Sequence, residues 1–162
     1  MSQSILIIGA KSDISKEIAK IYASHGYNLI LSGRKITELE DFADELRRLK
    51  VSVELKELDI TQTDTFEDFI SDLKTYPTGI IICVGFNPPN SEAYGSQDKF
   101  MEVVNVNYTG PMAFINMIKN RMKKGFIIGV SSVAGERGRK KNYMYGSAKS
   151  GFSTYLSGLR QE

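Results

Sequence analysis

The feature that most constrains this chain is an alternation of two periodicities along its whole length. Apolar runs of strand length, at residues 4–9, 27–32, 51–58, 79–84 and 126–131, are separated by segments with helical spacing. Helices are expected over 13–24, 37–50, 63–74, 99–122 and 143–160. In the first, Ile14, Ile18, Ala19 and Ile21 fall on one face and Gly26 is a stop. In the second, Leu39, Phe42, Leu46 and Leu49 point inward, and in the third Phe66, Phe69, Ile70 and Leu73 do so. Pro111 puts a first-turn or kink position inside the fourth. Strands alternating with helices at this spacing form βαβ units, so the fold class is α/β. The sheet is expected to be a doubly wound, Rossmann-like parallel sheet in the order 3-2-1-4-5. Such sheets bind ligands at the carboxyl ends of their strands, near the point where the order reverses. The loops after Ile8, Ser32, Leu58, Val84 and Ser131 are therefore the places to look.

Length and composition close off several function classes. The 162 residues suit one domain spanning 1–162, with no linker, repeat or low-complexity tract. Hydrophobic residues at 41% and charged residues at 25% mark a soluble globular chain. No apolar run approaches the roughly 18 residues that span a bilayer. Met1-Ser2-Gln3 leads straight into an apolar run without a basic region or a small-residue cleavage site, so no signal peptide is expected. A net charge of +2 gives no case for nucleic acid, and Cys83 as the only cysteine fits a reducing cytoplasm. That thiol, in an apolar strand, reads as inert core, and His25, before Gly26, suits a helix C-terminus. One histidine and one cysteine make no metal site.

The loop after the first run, residues 9–15, can cradle a pyrophosphate. Gly9 permits the sharp turn, and the N–H groups near Ser12, Asp13 and Ile14 open the helix that follows. Asp13 would repel a phosphate unless turned away, and Lys11 supplies compensating charge; a plain turn capped by Ser12 or Asp13 fits the same residues. After the second run stands Ser32-Gly33-Arg34-Lys35, with two bases where an acid would select a free ribose hydroxyl. Arg34 suits a 2′-phosphate, which favours NADP(H) over NAD(H). Asp59 can accept from an adenine amine or cap the turn Asp59-Ile60-Thr61.

Downstream, Tyr145 and Lys149 stand at i and i+4 on one helix face, with Ser132 thirteen residues earlier at a strand end and Asn107 in the long helical stretch. With residues 9–15, Leu58-Asp59-Ile60, 106–110 and 128–135, these motifs resemble the short-chain dehydrogenase/reductase family across essentially the whole chain. The resemblance implies an NAD(P)-dependent oxidoreductase interconverting a carbonyl and an alcohol. Tyr145 would give its proton to the carbonyl oxygen. Tyrosines titrate near pH 10, and an ammonium one turn away favours the phenolate. Lys149 would also hold the nicotinamide ribose, Ser132 would bond the substrate oxygen, and Asn107 would hold a water in a proton relay.

The chain also departs from the family pattern. Asp13 and Ser15 replace two of three loop glycines, and Ile82-Cys83-Val84-Gly85 stands for Asn-Asn-Ala-Gly, keeping only Gly85 to pass close to the adenine ribose. By resemblance, family members carry two further strands and a substrate-gripping loop after the last helix, whereas this sequence stops at Glu162; as a fragment it would leave the fifth strand with an uncovered edge. Residues 131–143 are similar to the decaprenylphosphoryl-ribose 2-epimerase reductase branch, which reduces a keto sugar on a phosphorylated carrier. Arg137, Arg139, Lys140 and Lys141 could hold such a phosphate or form a solvated basic loop. Small residues along 150–158 suggest, by resemblance, a homodimer or homotetramer. Acyl or small ketone substrates, and a nucleotide-binding sensor or scaffold without turnover, are the alternatives.

Overall fold

The computed structural model describes residues 3–89, 91–92, 95–122 and 124–162, so the Met1-Ser2 end of the chain lies outside the described residues. Five strands, β1 (Ser4–Ile8), β2 (Asn28–Gly33), β3 (Val53–Glu57), β4 (Gly79–Ile82) and β5 (Phe126–Gly129), form one sheet in the order β3-β2-β1-β4-β5. Every pairing is parallel, with Ile7 opposite both Leu31 and Ile81. The expected order and direction are what the structure shows.

The central strands are apolar on both faces because both faces are covered. From β1, Leu6 and Ile8 enter one core with Phe66, Phe114 and Phe152, while Ile5 and Ile7 enter the other with Ala19, Leu31 and Leu46. The second core lies under α1 (Asp13–Ser24) and α2 (Glu40–Arg47); the first lies under α3 (Phe66–Ser71), α5 (Gly110–Ile118) and α6 (Tyr143–Leu159). Each fully buried isoleucine or leucine is worth about 1.5–3 kcal/mol, which makes β1 and β4 the rigid base of the site.

Two apolar readings are corrected. Ile14 and Ile21 are 56% and 58% exposed, and α1 instead buries Ser15, Ala19 and Ala23. That i, i+4, i+8 stripe of small side chains lets the helix lie close to the sheet, which bulky isoleucines would prevent. Leu49 is 49% exposed because α2 ends at Arg47, before a further turn could carry it inward. The ends of both helical segments tighten: Ile36–Leu39 and Thr63–Thr65 are single 3-10 turns before α2 and α3. His25 caps α1, its Nδ1 at 2.8 Å from the Ile21 carbonyl.

The long helix expected over 99–122 is interrupted. α4 (Gln97–Val104) passes through a π turn, Asn105–Thr109, into α5, and a 3-10 turn, Lys119–Arg121, ends it. Pro111 explains the break, since it has no N–H to return to the carbonyl of Asn107.

Candidate active site

All the functional candidates gather at the carboxyl edge of the sheet. The turn after β1 has Gly9 at φ +82°, and the N–H groups of Gly9 and Ala10 both donate to the Ser32 carbonyl at 2.9 and 3.0 Å. A β-carbon at Gly9 would meet the Cys83 carbonyl at 2.9 Å, so the position needs glycine for its torsion and for its closeness to β4. Ser12 is the helix cap, accepting from the Ser15 N–H at 3.1 Å. Ser15, read from sequence as a lost glycine, is buried and donates its hydroxyl to the Gly9 carbonyl at 2.9 Å while accepting from the Ser12 hydroxyl. The third glycine has thus been exchanged for a hydroxyl that ties the turn to its own helix; the Ser12-x-x-Ser15 spacing carried that signal.

Between this turn and the ends of β2, β3 and β4 lies a cleft of about 230 Å³. Of the residues expected to hold a cofactor, Gly9, Lys11, Ser12, Arg34, Asp59 and Gly85 line it, and Lys149 does not. Nor do Asp13 and Ile14. Their exposed side chains stand outside the lining, and what they offer a phosphate is the backbone N–H at the start of α1. Asp59 accepts from the N–H and hydroxyl of Thr61 with one oxygen, at 2.9 and 2.8 Å, leaving the other for an amine. Arg34 is exposed, with no ion pair among the described residues, whereas Lys11 is paired with Glu38. Cys83 packs against the core as expected but is only half-buried and also lines the cleft, and burial pushes its thiol up, which keeps it unreactive. Sequence reading missed the apolar walls Ile8, Leu58, Ile60 and Val106, which look like ordinary core until the cleft is seen.

The catalytic candidates come together where β4 and β5 end. Gly146 makes this possible, because a β-carbon there would lie 2.4 Å from the Ala134 carbonyl. The 3-10 turn Val133–Gly135, which follows Ser132, can therefore rest on the first turns of α6, the helix that carries Tyr145 and Lys149. Ser131 locks the packing, donating to the Lys149 carbonyl at 3.2 Å and accepting from the Ser153 hydroxyl at 2.5 Å. The neighbouring Ser132 accepts the Ala134 N–H at 3.2 Å, which leaves its own proton for another oxygen.

Lys149 is 2% exposed. Its ammonium donates to the carbonyls of Val84 at 2.9 Å and Val130 at 3.1 Å, one at the end of β4 and one after β5. A third N–H remains, and the same nitrogen lies 5.9 Å from the centre of the Tyr145 ring. Burial pulls the ammonium down to about 8. Asn107 is fully buried, its oxygen accepting from the Phe86 N–H at 3.1 Å and its amide donating to the carbonyls of Phe86 and Val103 at 2.7 and 2.8 Å. Asn107, expected to hold a water, ties the loop after β4 to the π turn with its side chain, and its backbone carbonyl, to which Pro111 offers no N–H, can meet one.

A family model for short chain dehydrogenases matches residues 3–162. The chain belongs to that family. An uncharacterized oxidoreductase of Myxococcus xanthus (strain DK1622) is 29% identical over 161 residues, covering 96% of this chain. The chain spans 64% of the length of that relative. The crystal structure of an actinorhodin polyketide ketoreductase with NADPH superimposes with a TM-score of 0.87 at 21% identity, covering 98% of this chain and 64% of that one. LigD of Sphingobium sp. strain SYK-6, in its apo form, gives 0.91 at 23% identity over 98% of this chain and 71% of that one. Short-chain dehydrogenases bind NAD(P), and the cleft fits such a group. Its glycine-lined floor and capped helix start leave room and backbone N–H groups for a dinucleotide, and one Asp59 oxygen and the Arg34 side chain remain at its rim. Among the described residues no group of acids, histidines and cysteine could hold a metal ion, and no helix is long and apolar enough to cross a membrane.

Proposed function

We propose that this chain carries the coenzyme cleft and proton-transfer site of an NADP(H)-dependent carbonyl reductase of the cytoplasm. The observation that carries the reading is the buried Lys149 ammonium, fixed by two strand-end carbonyls beside the Tyr145 ring. A bound nicotinamide supplies the hydride. Tyr145 donates its phenolic proton to the substrate oxygen, and the charge of Lys149 stabilises the phenolate left behind. The remaining N–H of Lys149 holds a ribose hydroxyl, and Ser132 donates to the substrate oxygen where negative charge develops. Asn107 keeps the β4 loop in place and offers its backbone carbonyl to the water that returns the proton. Gly9, Ser12 and the first N–H groups of α1, at Asp13 and Ile14, hold the pyrophosphate. Arg34, with Lys11, receives the 2′-phosphate; Asp59 takes the adenine amine, and Gly85 leaves room for the adenine ribose.

The substrate is a ketone on a phosphorylated carrier, such as a keto sugar. Arg137, Arg139, Lys140 and Lys141 are exposed in the segment between Ser132 and Tyr145, where they can meet an anion. A second copy of the chain packs on α6, where Ser147, Ser150, Gly151 and Thr154 leave a shallow groove beside Tyr108.

Loss of NADPH absorbance with a panel of phosphorylated keto sugars, neutral keto sugars and simple ketones tests the reading. Tyr145→Phe should lower turnover by about 10²–10⁴-fold while NADPH binding changes less than about twofold. Equal turnover in that variant, or binding without turnover in the wild type, defeats the enzyme reading. Exchange of Arg137 and Arg139 for Ala should raise KM for the phosphorylated substrates alone; an equal rise for neutral ones removes the phosphate.

A further inference from the structure

The rim of the cleft holds an ion pair that the catalytic reading does not use. Lys11 leaves the turn after β1 and lines the cleft, and its ammonium is bound to Glu38, 27 residues further on. Glu38 reaches it because Lys35 adopts φ 49° and turns the chain into the 3-10 segment Ile36–Leu39, where the Glu38 N–H returns to the Lys35 carbonyl at 3.2 Å. The carboxylate thus stands one short turn beyond Arg34, which also lines the cleft. Both members of the pair are half exposed, so the bond is weak enough to exchange for a stronger anion.

We infer that Glu38 is a specificity-determining residue, a carboxylate that holds Lys11 across the rim and competes with the 2′-phosphate of the coenzyme for that ammonium. The inference rests on the cleft being a dinucleotide site. A ribose with a free 2′-hydroxyl has no claim on Lys11 and leaves the pair intact. A phosphate dianion has to displace Glu38, and it is repelled by the carboxylate it displaces. Glu38 therefore narrows the preference for the phosphorylated coenzyme that Arg34 and Lys11 would otherwise give.

Fluorescence titration of the chain with NADPH and with NADH reads both affinities, free of tryptophan background since the chain has none. Glu38→Gln should tighten NADPH by about threefold to tenfold and change NADH less than about twofold. Glu38→Ala should act in the same direction, which separates the charge from any packing by the glutamine. In a Lys11→Met background the gain should shrink to what relief of the direct carboxylate–phosphate repulsion gives, because the ammonium released by Glu38 is then missing. An equal shift for both coenzymes, no shift for NADPH, or a gain undiminished in the Lys11→Met background overturns the role of Glu38. A wild type that binds both coenzymes while the variants keep the same ratio removes this inference and leaves the dinucleotide reading standing. A wild type that binds neither removes both.

Discussion

Lys149 shows how one buried charge is kept in an apolar fold. Its ammonium lies 5.8 Å from the centre of the Phe152 ring, and its charge is met by two carbonyl dipoles rather than by an acid. Dipoles compensate desolvation only in part, so its ionisation falls from 10.5 to about 8. The sign of the consequence follows from proton counting. Below about pH 8 the lysine is charged in both the folded and unfolded chain, and folding bears the whole cost of burying it. Between about pH 8 and 10.5 the unfolded chain binds the extra proton, so stability rises with pH. Chemical denaturation of wild type against Lys149→Met should show this rise in the wild type alone, on the order of 3 kcal/mol across the window. Parallel pH profiles for the two proteins would contradict the burial of a charged amine.

At the scale of elements, the site depends on how closely α6 approaches the turn after β5. The contact is backbone against backbone: Gly146 faces the Ala134 carbonyl, and on the other side of the turn Gly135 faces Ser150. Gly146→Ala would place a methyl 2.4 Å from a carbonyl oxygen, which neither a helix nor a 3-10 turn can absorb by side-chain motion. Overpacking of this kind costs about 1–3 kcal/mol. The expected outcome is a lowered Tm and a loss of kcat exceeding any change in NADPH affinity, since Ser132 moves away from Tyr145 while the cleft around Gly9 is untouched. A variant with unchanged kcat would mean the approach of these two elements does not set the catalytic geometry. The π turn works similarly from the other side. Pro111 removes one helical bond at Asn107, and the side chain of Asn107 then fastens the loop carrying Val84 and Gly85.

At the scale of the whole chain, the sheet is well buried in its centre, and β5 is its last strand among the described residues. Ile128 is 44% exposed, and beside it Ile127, Leu156 and Leu159 line a groove along that strand. An apolar edge strand with free backbone groups templates association. Ile128→Lys should reduce light scattering of concentrated protein without altering its circular dichroism; unchanged scattering would place the association elsewhere. The sequence alone determined the layering. Fully apolar runs such as residues 79–82 can only be strands covered on both faces, and their alternation with helices leaves few topologies besides the parallel order observed. It also placed Gly9, Arg34, Asp59, Ser132, Tyr145 and Lys149 in loops or first turns on one edge, because those positions follow from counting along elements. Only the tertiary structure decided which face of α1 is inward, that Ser15 ties the turn after β1, that Cys83 lines the cleft, that Asn107 fastens a loop, and that Glu38 meets Lys11. Each of these depends on close approach between segments far apart in the chain, and periodicity within one segment carries no record of what lies opposite it.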